Sequence, residues 1–140
     1  MTTTRPGLIL FAHGARDPQW AQPFTEVARR IRASNPGLPV ALAYLELMSP
    51  TLQEAGRQLA GEGCSHVTVV PLFLGAGGHV RRDLPRLLDE LAGLHAGVTW
   101  RASPAVGEVD SVVQAMADAA LAQLPAPRPG PTDGTGVEVE

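Results

Sequence analysis

The chain has 140 residues, a net charge of −3 and 18% charged residues, a size that suits one domain with a real core and a charge balance without the basic excess of nucleic-acid binders. Its single cysteine, Cys64, makes neither an internal disulfide nor a metal framework, which fits a reducing compartment. The leading MTTTRPG has one basic residue, and the apolar run behind it, Leu8 to Ala12, is too short for a signal h-region or a membrane span. A cytoplasmic protein with no nucleic-acid or membrane partner is expected.

Leu8 to Ala12 reads as a first strand ending in His13-Gly14. Helical spacing of Phe24, Val27, Ala28 and Ile31 then predicts a helix from about Gln19 to Ser34, capped by Asp17 and stopped by Asn35-Pro36-Gly37. Val40 to Leu45 is a second strand that ends on Glu46. Ser49 with Pro50 behind it predicts the N-cap and first position of a second helix carrying Leu52, Ala55 and Leu59.

The stretch HVTVVPLFLGAGGHVRRDLP, residues 66–85, has a run rich in β-branched residues, as expected of a strand buried on both faces of a parallel sheet. The glycines Gly75, Gly77 and Gly78 then leave room for a ligand, and His79 follows them. Pro71 sits awkwardly in such a run, since proline is rare within a central strand. Pro85, tolerated in a first helical turn, predicts Asp83 as the N-cap of the third helix and places His79 before it, on the loop. Leu84, Leu87, Leu88 and Leu91 form that helix's apolar face. Val98 to Ala102 is a fourth strand, and a last helix from about Glu108 to Leu124 is expected to bury Val109, Val112, Val113, Met116 and Ala120.

From Pro125 the sequence PAPRPGPTDGTGVEVE has no apolar periodicity, which predicts one domain over residues 1–124 and a disordered tail over 125–140. Strand and helix alternate four times. The fold class expected is α/β, a three-layer doubly wound parallel four-stranded sheet in the order 2-1-3-4.

On that scaffold His13, Glu46 and His79 each follow the carboxyl end of one of three adjacent strands and open onto one rim. A lone histidine after a strand is commonly a hydrogen-bonding loop residue, so it is the joint placement that argues for a site. Two imidazoles and a carboxylate suit borderline divalent ions such as Co²⁺, Ni²⁺, Fe²⁺ or Zn²⁺. Arg16, Arg81 and Arg82 flank the two histidines, and local positive charge in an acidic protein suits an anionic ligand. His66 and His95 fall elsewhere and read as structural or solvated. No P-loop, dinucleotide fingerprint or G-x-S-x-G elbow is present, which argues against ATP-driven and serine-hydrolase chemistry.

The residues Phe11-Ala12-His13-Gly14-Ala15-Arg16, Tyr44-Leu45-Glu46 with Pro50, Pro71-Leu72-Phe73-Leu74, Gly78-His79 and Asp83-Leu84-Pro85 closely resemble the short form of the sirohydrochlorin chelatase family, over roughly residues 8–122. The resemblance implies half of a class II chelatase-like fold that pairs as a homodimer. It also implies insertion of Co²⁺, Fe²⁺ or Ni²⁺ into a tetrapyrrole such as sirohydrochlorin, in cobalamin- or siroheme-type biosynthesis, with no nucleotide and no cofactor beyond the substrate metal. His13 and His79 would be metal-binding and catalytic, with Glu46 assisting. Arg16, Gly77, Gly78, Arg81 and Arg82 would meet the substrate. Ala15 departs from the serine found there in many relatives. Two other readings use the same pocket: a non-catalytic metal or tetrapyrrole carrier, and a flavodoxin-like small-ligand domain without metal.

Overall fold

The computed structural model describes residues 3–75 and 77–126, with His79 described by its backbone. The expected tail therefore lies outside the described residues from position 127 onward. Four parallel strands, β1 (Pro6–Ala12), β2 (Val40–Tyr44), β3 (His66–Pro71) and β4 (Thr99–Ala102), form one sheet in the order β2-β1-β3-β4. β1 is central, pairing Leu8 with Val40 on one side and with Thr68 on the other. The expected order is the observed one. Because the chain winds away from β1 and β3 in opposite directions, the crevice beyond their carboxyl ends is the natural ligand position.

The helices are α1 (Gln22–Ser34), α2 (Leu52–Gly61), α3 (Gly78–Leu94) and α4 (Asp110–Leu121). The strands alternate between two cores. Ile9, Phe11, Ala41, Ala43, Val67 and Val69 face Leu52, Ala55, Leu59, Leu84 and Leu91 of α2 and α3. Leu10 and Val40 face Ala28 of α1 on the other side. Ile9, Phe11, Leu59, Leu91, Val67 and Val69 are fully buried, and each such side chain contributes roughly 1.5–3 kcal/mol of transfer free energy.

The helix boundaries differ from expectation. α2 is capped not by Ser49 but by Thr51, in a capping box with Glu54: the Thr51 hydroxyl accepts from the Glu54 N–H at 3.2 Å, and the Glu54 carboxylate accepts from the Thr51 N–H at 2.9 Å. Pro50 instead follows a cis peptide bond, in the turn before the helix. α3 begins at Gly78 with Gly77 as N-cap, so Pro85 lies inside the helix and His79 sits in its first turn rather than on the approach loop. The physical reason is packing. Val80 joins Leu87 and Leu88 against the core that holds Leu84 and Leu91, so the apolar stripe starts one turn before the proline, and this burial outweighs the hydrogen bond that Pro85 does not donate.

The last helix differs most. A 3-10 turn, Val106–Glu108, precedes α4, and α4 buries no residue. Val109, Val113 and Met116, expected to face the core, are exposed. A smaller difference is that α1 is preceded by a 3-10 turn, Pro18–Ala21, which Asp17 caps by accepting from the Gln19 N–H.

The capping box has a pH signature. Hydrogen bonds from the Thr51 N–H and hydroxyl hold the Glu54 carboxyl below its ordinary value of 4.5. A depressed folded-state value means the stabilisation is present above pH 4.5 and fades as pH falls through the lower folded value. Urea titrations of Glu54→Gln should show a stability deficit at neutral pH that closes as the solution is acidified, and Thr51→Ala should lose about 1 kcal/mol at pH 7.

Candidate functional site

Beyond β1 and β2 the ladder continues as the strands end. The Leu45 N–H donates to the Ala12 carbonyl at 2.9 Å and the Glu46 N–H to the His13 carbonyl at 3.1 Å. Gly14 makes this possible. It sits at φ +98°, and a Cβ there would lie 1.8 Å from the Glu46 carbonyl oxygen, so no other residue fits without moving the Glu46 loop. The result is a contact between side chains 33 positions apart: His13 Nε2 lies 3.1 Å from Glu46 Oε1. The pair is half in water, with side-chain exposures of 50% and 56%.

The floor beneath His13 comes from β3. The Leu72 N–H donates to the Phe11 carbonyl at 2.8 Å, and the next residue, Phe73, turns inward and is buried. Its ring meets His13 edge-on at 6.1 Å between centroids and Phe11 at 5.9 Å. Gly107 closes the far side in the way Gly14 closes the near one. The Gly107 N–H donates to the Phe73 carbonyl at 2.9 Å, and a Cβ on Gly107 would lie 1.6 Å from the Leu74 carbonyl oxygen. Phe73, Gly14 and Gly107 were not singled out as site-forming by sequence reasoning, although HG after a first strand and the single inward-turned aromatic of PLFL were available signals.

His79 occupies the second position of α3, where Gly77 supplies no side-chain cap, so an anion finds N–H donors at this helix end. Arg81 does not stand free beside the histidines: its guanidinium pairs with Glu108 at 3.5 Å. Arg82 donates to the Gly78 carbonyl at 3.2 Å. Arg16 is exposed on the loop three residues past His13. A cavity of about 500 Å³ lined by Phe73, Val80, Arg81, Leu84, Ser103 and Glu108 opens beside this rim. Another, of about 470 Å³, lies at the opposite end of the sheet around Arg5, Pro39 and Cys64; burial raises the Cys64 thiol above its ordinary value, which suits an inert core residue.

The structure thus brings His13 and Glu46 together, half-exposed at the rim. Among the described residues no three His, Cys, Asp or Glu side chains cluster as a metal site; the His79 side chain is outside that set. A paired imidazole and carboxylate on an apolar floor can hold a divalent ion at an open position or pass a proton between them.

The sequence model described as CbiX matches residues 7–122. The chain belongs to the CbiX family. A solved CbiX protein from Marinobacter aquaeolei VT8 is 35% identical and superposes with a TM-score of 0.74, over 84% of this chain and 95% of that one. Curated relatives include the sirohydrochlorin cobaltochelatases of Methanopyrus kandleri, 35% identical over 58% of this chain and 57% of the relative, and of Sulfurisphaera tokodaii, 32% identical over 63% and 72%. The aligned part is a little over half the length of the first of these and under three quarters of the second. The sirohydrochlorin chelatase SirB of Bacillus subtilis subspecies spizizenii, solved in complex with cobalt, shares the fold at a TM-score of 0.75 and 21% identity, over 86% of this chain and 51% of that one.

Gly14→Ala tests the geometry of the pair without touching either member. The strained φ alone costs about 1–3 kcal/mol, and the clash with the Glu46 carbonyl adds to it. Thermal unfolding should show a clear loss of stability, and a melting temperature equal to that of the wild type would mean that the Glu46 loop yields without cost.

Proposed function

We propose that this protein inserts a divalent metal ion, Co²⁺, Fe²⁺ or Ni²⁺, into sirohydrochlorin or a close tetrapyrrole relative, without ATP and without a cofactor beyond the substrate metal, as a homodimer in the cytoplasm. The observation that carries the reading is the His13–Glu46 pair, held at 3.1 Å at the sheet's switch point in a chain of the CbiX family. Its relatives named sirohydrochlorin cobaltochelatase support the substrate class. The cobalt complex of the SirB fold supports the metal class.

The chemistry follows from what metallation requires. Two pyrrole N–H protons must leave as the ion enters, so the site needs a metal donor and a proton acceptor. A neutral imidazole serves as either, and a carboxylate within hydrogen-bond distance orients it, offsets the charge of the imidazolium and can accept the second proton. His13 and Glu46 have this relation. His79, from the helix end, is the second imidazole in the proposal. Phe73 keeps water from one side of His13, which strengthens the polar contacts on the other. The peripheral carboxylates of the tetrapyrrole are anions, and Arg16, Arg81, Arg82 and the N–H groups at Gly77 and Gly78 are the donors that would meet them. Arg81 would have to exchange Glu108 for substrate, an even trade for a surface-exposed pair.

Anaerobic mixing with sirohydrochlorin and each metal, followed by visible spectroscopy, is the decisive measurement. Many equivalents of product per protein are expected. His13→Ala and His79→Ala should each lower the rate by about 10²–10⁴, the usual worth of a positioned acid–base group. Spectral change that stops at one equivalent would make the protein a carrier instead, and no change with any of the three metals would end the reading.

A further inference from the structure

Two large apolar side chains stand in water at the rim, each one residue past a group that builds the site. Leu47 follows Glu46 and is 60% exposed, and Leu74 follows Phe73 and is 70% exposed. Single exposed leucines are ordinary on a protein surface. The places of these two are not ordinary, because β1 lies between β2 and β3, so one leucine is delivered on each flank of His13.

Leu47 also carries a conformational cost. Its φ is +65°, in the left-handed region that glycine and asparagine enter readily and a leucine only with strain. The turn it makes sends Met48 back onto the cluster of Ala12, Ala21 and Tyr44, while Leu47 stays outside. Asparagine would make the same turn more easily, so the turn explains the φ but not the leucine. Leu74 is held as firmly. The Phe73 carbonyl before it accepts from the Gly107 N–H at 2.9 Å, and a Cβ on Gly107 would lie 1.6 Å from the Leu74 carbonyl oxygen. At both positions the backbone is fixed and an apolar side chain is what it offers to solvent.

We infer that Leu47 and Leu74 are substrate-positioning residues that pack against one face of the macrocycle on either side of His13. The inference rests on the proposed metallation and adds what holds the ring over the imidazole. A tetrapyrrole is polar at its edge, where its carboxylates are, and apolar over its faces. The arginines answer the edge, and the leucines answer the face. Neighbouring strands lie about 4.8 Å apart, so groups carried past the ends of β2 and β3 are separated by roughly 10 Å, the scale of a tetrapyrrole core. A free metal ion or a small anion has no apolar face and gains nothing from either leucine. Two fixed contacts restrain tilt as well as position, and metallation needs both because the ring nitrogens have to face the incoming ion.

Steady-state metallation by the full chain, with binding of metal-free sirohydrochlorin followed separately by absorbance titration, tests this. Leu74→Ala and Leu47→Asn should each raise KM for sirohydrochlorin and weaken binding of the metal-free ring about tenfold. The effect should fall on KM rather than kcat, leave KM for the metal ion unchanged, and be the same at low and high salt, as an apolar contact requires. Leu47→Asn should at the same time keep or raise the thermal midpoint, because asparagine relieves the backbone, so weaker binding there is not a folding defect. Wild-type KM and ring binding in both variants would overturn the inference and leave the metallation standing. A wild-type chain that neither binds nor metallates the ring would overturn both. A KM shift that disappears at high protein concentration, together with loss of a dimer in sedimentation velocity, would assign the leucines to a contact between copies and overturn the inference as well.

Discussion

Everything at the rim depends on the parallel pairing of β1 with its two neighbours being carried past the ends of the strands. On the β2 side the last bond is from the Glu46 N–H to the His13 carbonyl, which sets the backbones of the two residues side by side before their side chains meet. A side-chain contact between half-exposed groups is weak by itself, worth at most about 1 kcal/mol. Here the loss of rotamer freedom is small because the ladder has already placed both Cα atoms. The absent side chain of Gly14 is the condition for that approach.

The β3 side repeats the device with different chemistry. The ladder carries on to the Leu72 N–H, and Phe73, one residue further, is buried below His13. Gly107 then lets the chain leaving β4 approach the Leu74 carbonyl as closely as Gly14 approaches Glu46. The histidine thus has a polar neighbour delivered by one flanking strand and an apolar one delivered by the other. The sheet order decides this, since only the strand between β2 and β3 can present a residue to both.

The strands and their order were legible because each is a short apolar run bounded by a breaker, and a parallel sheet asks for little else. The convergence of His13 and Glu46 was legible for the same reason. Helix starts were less so, because two signals competed at each. At α2 the Ser49-Pro50 pair drew attention from the Thr51-x-x-Glu54 capping box two residues on. At α3 Pro85 suggested a late start, whereas Val80, spaced i, i+4, i+7 and i+11 with Leu84, Leu87 and Leu91, already belonged to the buried stripe. A single proline removes one hydrogen bond; a turn of helix anchored by a core valine returns more. For α4 the periodicity found the apolar face correctly but carried no information on what covers it, since a face that packs on its own sheet and one that packs elsewhere have the same period.

The half-exposure of the His13–Glu46 pair bears on the proposed metallation, since two kinds of metal chemistry ask for different sites. A structural ion is held by a closed set of four protein donors and is released slowly. An ion that is handed to a macrocycle has to arrive hydrated, exchange water for nitrogen ligands and leave with the product, so each protein bond to it must be few and replaceable. An imidazole with one carboxylate neighbour, open to solvent on one side and backed by a phenyl ring on the other, offers few bonds and a clear path. In the proposed metallation, more donors from this chain would hold the ion better and deliver it worse.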